Sequence, residues 1–86
     1  MLSQCTYQWL FAYLEHLGFE DSSQSKFEKI FEHSKLGILL AFSMQDDPAM
    51  DRPVRDADVT SVEFHLQQHG LLSGELMDAS SRFSGI

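Results

Sequence analysis

The chain has 86 residues, thirteen acidic against six basic side chains and a net charge of −7. That length allows one domain, 1–86, burying only about 60–65% of its unfolded surface. The charge disfavours phosphate backbones and anionic lipid, so neither direct nucleic-acid nor membrane binding is expected. A single cysteine, Cys5, excludes an internal disulfide and leaves no basis for a thiolate zinc site. No apolar run nears the ~18–20 residues of a membrane span, and the N-terminus lacks a signal-peptide pattern, so the expected location is cytoplasmic.

In chain order, Leu10, Leu14 and Leu17 form a stripe that predicts a first helix over 3–18, with Gly18 at the cheapest position for a left-handed cap. Phe19 then meets Leu14 across that cap. Tyr7, Trp9, Phe11 and Tyr13 widen the apolar arc. They can cover a small core from several sides, or the side carrying Trp9 and Tyr13, away from the leucine stripe, can face a partner, where Trp and Tyr are enriched.

Residues 20–24 read as a polar turn. Ser25-x-x-Glu28 has the form of a capping box opening a second helix over 25–45, on which Phe27, Ile30, Phe31, Ser34, Ile38, Ala41 and Phe42 share a face. From Leu36 the polar face vanishes, since Leu36, Leu39, Leu40 and Met44 fill the opposite angles. A helix apolar all round requires cover all round, which predicts a homodimer through Leu36, Leu39, Leu40 and Met44. Gly37 is the weak point, and a short strand from Gly37 to Ser43 is the alternative.

Residues 46–58 read as a long acidic loop holding both prolines and Asp46, Asp47, Asp51, Asp56 and Asp58. Thr60-x-x-Glu63 signs a third helix over 60–70, closed by Gly70, with Val62 and Leu66 on one face. A short fourth helix is expected over 74–82. The run from Val62 through Gly70 to Ser73 is similar to the turn of a helix-turn-helix, but Glu75 and Asp78 on the following segment fit packing better than DNA reading.

The expected fold is therefore all-α: a small helical domain of three main helices plus a short C-terminal one, with the acidic loop between helices 2 and 3. His65 and His69 have the i, i+4 spacing of two zinc ligands but no third, and Cys5 has no base at informative spacing. No phosphate loop, nucleophile elbow or carboxylate pair is present, so the expectation is a non-enzyme with no cofactor and no metal.

For function the sequence points to a small acidic regulator, antirepressor-like or anti-activator-like by analogy of class. It would bind and inhibit another protein, a transcription regulator foremost, through Trp9, Phe11 and Tyr13. One alternative is a nucleic-acid mimic presenting Asp46, Asp47, Asp51, Asp56 and Asp58, with Glu63, to a basic groove, an array that Arg52 and Arg55 interrupt. A structural subunit of a larger complex is the other.

Overall fold

A computed structural model of the chain describes residues 5–45, 48–74 and 76, and over 25–45 it holds a β-hairpin where a helix was expected. The element order is α1 (Tyr7–His16), β1 (Glu20–Asp21), β2 (Glu28–His33), β3 (Ile38–Ser43) and α2 (Asp56–Gln68). The all-α expectation is thus wrong: among the described residues the fold is α+β, two helices and one antiparallel sheet in the order β1-β2-β3.

The hairpin register runs from Glu28 opposite Ser43 to His33 opposite Ile38. Residues 34–37 turn the chain, with the Gly37 amide donating to the His33 carbonyl at 2.8 Å and Gly37 at φ +67°. That conformation is open to glycine and costly in an L residue. The glycine that weakens a helix is the one this turn needs. Along β3, Ile38, Leu40 and Phe42 are buried while Leu39, Ala41 and Ser43 are exposed, the period of two that marks a strand covered on one face. Ser25 does not cap a helix either: its hydroxyl accepts from the Phe27 amide, two residues on, at 3.0 Å, and shapes the turn into β2.

Helix α1 is shorter than expected. Thr6 is its N-cap, its hydroxyl accepting from the Trp9 amide at 3.2 Å, and residues 1–4 lie outside the described residues. Its end follows the expected pattern. Gly18 sits at φ +105°, and the Phe19 amide donates to the Leu14 carbonyl at 3.0 Å, the reach of a Schellman turn.

Helix α2 starts at Asp56, earlier than 60, so Asp56 and Asp58 belong to its first turn. Carboxylates there face the positive end of the helix dipole, which favours starting the helix among them. Thr60 and Glu63 are therefore interior, and the Glu63 carboxylate instead accepts from the Leu76 amide at 2.8 Å. Gly70, at φ +72°, closes the helix as the Leu71 amide reaches the Leu66 carbonyl at 2.8 Å. The fourth helix expected over 74–82 falls almost wholly outside the described residues, as do Asp46 and Asp47.

Both helices share one core with the inner face of the sheet. Phe31, Ile38, Leu40 and Phe42 cluster there with Tyr7, Leu10, Leu14, Val62 and Leu66. Phe11 stacks on Phe31 at 4.9 Å between centroids and tilts against Phe42 at 5.4 Å, geometries that add to simple area burial. The opposite face of the sheet carries Glu28, Ile30, Glu32, Leu39 and Ala41.

Candidate functional site

The segment after β3 crosses the start of α1 and is fastened to it. The amides of Tyr7 and Gln8, which have no partner within their own helix, donate to the carbonyls of Arg52 at 3.1 Å and Met50 at 2.7 Å. The Val54 amide donates to Cys5 at 2.8 Å, and Thr6 bridges Pro53. A loop tied by three backbone hydrogen bonds is a fixed wall.

Between that wall and the start of β2 lies a half-open cavity of about 170 Å³ lined by Lys26, Lys29, Met44, Pro48 and Met50. Met44 is fully buried and forms the floor. The Arg52 guanidinium lies 3.8 Å from its sulfur and 4.8 Å above the Tyr7 ring, so the floor is braced by a cation held on an aromatic face. The cavity resembles in size the ~150 Å³ apolar cavity that admits benzene. It suits one apolar side chain and is small for a drug-sized ligand.

Its rim is cationic. The Lys26 ammonium stands 5.4 Å from the Phe27 ring and that of Lys29 5.9 Å from the Phe11 ring. Lys29 also pairs with Asp21 at 3.2 Å. Asp21 is held below the usual carboxylate range, first by its hydrogen bonding with Ser23 and then by Lys29. Two of the six cationic side chains of an acidic chain, Lys26 and Lys29, thus line one apolar hollow, and a third, Arg52, touches the sulfur of its Met44. Phe27 and Met50 beside it are among the exposed large apolar residues.

The residues expected to bind a partner are distributed otherwise. Trp9, Phe11 and Tyr13 are all buried in the core, with Trp9 stacked on Tyr13 at 4.9 Å and 12°. Asp51 and Asp56 are exposed. Asp58 is engaged: Oδ2 accepts from the Tyr7 hydroxyl at 2.5 Å and from Arg55 Nη2 at 3.2 Å. Leu40 and Met44, expected at a dimer interface, are buried within this chain, whereas Leu36 and Leu39 are exposed.

Lys26, Lys29, Pro48 and Met50 were not singled out by sequence, because they meet only through the hairpin register and the loop ties. His65 turns its Nδ1 to the Ser61 carbonyl at 2.8 Å. Among the described residues no group of three His, Cys, Asp or Glu side chains is placed to hold a metal, and no helix is long and apolar enough to cross a membrane. Cys5 is buried, which pushes its thiol up to about 12. No family model, no curated protein and no solved structure matches the chain.

Proposed function

We propose that this chain is a small regulatory protein that binds another protein and blocks its action, with the Met44–Met50 cleft receiving an apolar side chain of the partner. The observation that carries this reading is the pairing of a methionine-lined hollow with a lysine rim on a wall already fixed by the ties to α1. Methionine is enriched at protein interfaces and adapts to varied partners, and a preformed wall lowers the ordering cost of binding. Lys26, beside a Lys29 already paired with Asp21, favours a partner segment in which Asp or Glu flanks the apolar anchor.

Mimicry of nucleic acid by the aspartates has less support, since the Asp58 carboxylate is occupied by Tyr7 and Arg55. Docking through the aromatic surface of Trp9, Phe11 and Tyr13 also has less support, since all three side chains are buried in the core.

Affinity capture with the wild-type chain and with Met50→Asp as baits tests the reading. A protein retained by the wild type through a wash at about 0.5 M salt, where screening shortens to about 4–5 Å, and lost with Met50→Asp, supports it. Equal capture by both baits would exclude the cleft as the docking site.

A further inference from the structure

Among the described residues β3 is an edge strand, and it carries no charged residue, no proline and no bulge. Those are among the devices by which natural edge strands avoid pairing with another chain.

The hydrogen-bond phase of the sheet identifies which groups point away from the ladder. The Met44 amide donates to the Phe27 carbonyl at 2.8 Å, and on the other side of β2 the Ser22 amide donates to Ile30 at 2.8 Å. With the register fixed, odd-numbered residues of β2 bond toward β3 and even-numbered ones toward β1. Ile38, Leu40 and Phe42 therefore bond inward to β2. Leu39, Ala41 and Ser43 direct their amides and carbonyls outward.

One outward group is already occupied, since Arg55 Nη2 donates to the Ser43 carbonyl. At the opposite end the strand stops at Gly37. Between the two stops lie four outward groups: the amides and carbonyls of Leu39 and Ala41.

We propose that these four groups pair with the same four of a second copy, joining two sheets through antiparallel β3 strands into one six-stranded sheet. Three twofold registers centre on this stretch. Centring on Ala41 requires the Ser43 carbonyl, where Arg55 sits. Centring on Leu39 runs Ala41 against Gly37 in the turn. Centring on Leu40 sets Leu39 opposite Ala41 of the second copy and Ala41 opposite its Leu39, forming four hydrogen bonds and leaving the Arg55 contact intact.

In that register the two Leu40 side chains meet as a close non-hydrogen-bonded pair, with Cα atoms about 4.5 Å apart. On the outer face Leu39, 58% exposed, gains apolar neighbours beside Ala41 of the second copy. The pairing is isologous, so it closes at two chains. It uses neither Lys26, Met44 nor Met50 and stands independently of the cleft.

Sedimentation equilibrium of the whole chain up to about 1 mM, the weak end of specific association, together with amide exchange tests this. The wild type should be a dimer in which the Leu39 and Ala41 amides are protected, and both should lose protection on dilution to monomer. Ala41→Pro removes an amide that the monomer's own ladder does not use, and proline is tolerated on an edge facing outward. It should yield a folded monomer. Should that variant fail to fold, Leu39→Lys, on the exposed face, gives the same reading. A wild type that stays monomeric overturns the proposal, as does a dimer whose Leu39 and Ala41 amides exchange freely or one that survives either folded variant.

Discussion

The Tyr7 hydroxyl donates to Asp58 Oδ2 at 2.5 Å and accepts from the Arg55 amide at 3.2 Å, which locks the first turn of α1 to the first turn of α2. Arg55 closes the ring by reaching the same carboxylate oxygen through Nε and Nη2 at 3.3 and 3.2 Å. Tyr7→Phe removes one hydroxyl and leaves both an amide and a carboxylate short of a partner. The expected loss is about 1.5–3 kcal/mol, the range for hydrogen bonds to charged groups, read from the midpoint of urea unfolding.

The same phenol sets an alkaline limit. Burial first, and then the bond to Asp58, raises it above its ordinary value of 10.0. The folded chain therefore holds a proton that the unfolded chain releases first. Stability from this group is complete below pH 10 and declines as pH rises through the folded value. Tyr7→Phe should flatten that decline, so wild type and variant converge at high pH; a constant gap would show that the phenol is not the titrating group.

Cys5 should resist alkylation. With its thiol pushed up to about 12 by burial, almost none is thiolate at pH 8, and the thiolate is the nucleophile. Iodoacetamide should leave the native chain intact and label it fully in urea, as read by mass spectrometry.

Gly18 and Gly37 both have positive φ but should differ in cost when replaced by alanine. A Cβ on Gly18 would sit 2.9 Å from His33 Nε2, whereas one on Gly37 meets nothing within 4 Å. Gly37→Ala should cost about 1–2 kcal/mol for the left-handed backbone alone. Gly18→Ala adds a clash with a buried ring held edge-on by Phe19 at 5.1 Å, for a total of about 2–4 kcal/mol. Thermal melts of the two variants check the order.

Adjacent leucines on β3 give the sharpest test of the hairpin register. Leu40→Ala, at 3% exposure, should cost about 2–4 kcal/mol. Leu39→Ala should stay within about 0.5 kcal/mol when measured on the dilute monomer. Similar losses at both positions would indicate a helix or a shifted strand.

The helices were largely legible in the sequence, and the sheet was not. Leu10, Leu14 and Gly18 fix α1 and its end through local chemistry alone, and Gly70 does the same for α2. The stretch 25–45 misled because Ile30, Leu39 and Ala41 are apolar on the solvent side and His33 faces inward, which blurs the alternation that marks a strand. Spacings of three and four then fitted equally well. Only Gly37 kept the turn visible. The cleft had no local signature, since Lys26 and Lys29 meet Pro48 and Met50 through a backbone crossing that depends on the hairpin being formed.

The crossing of the 48–54 segment over α1 also bears on how the chain is made. The leading amides of α1 find their acceptors in Arg52 and Met50, more than forty residues downstream. While α1 leaves the ribosome those carbonyls do not yet exist outside the tunnel, and a ten-residue helix is marginal by itself. Native structure around the start of α1 is therefore held back until the 48–54 segment has left the tunnel. A ribosome paused before residue 50 would expose a nascent chain with its aromatic residues uncovered, the kind of segment that chaperones recognise.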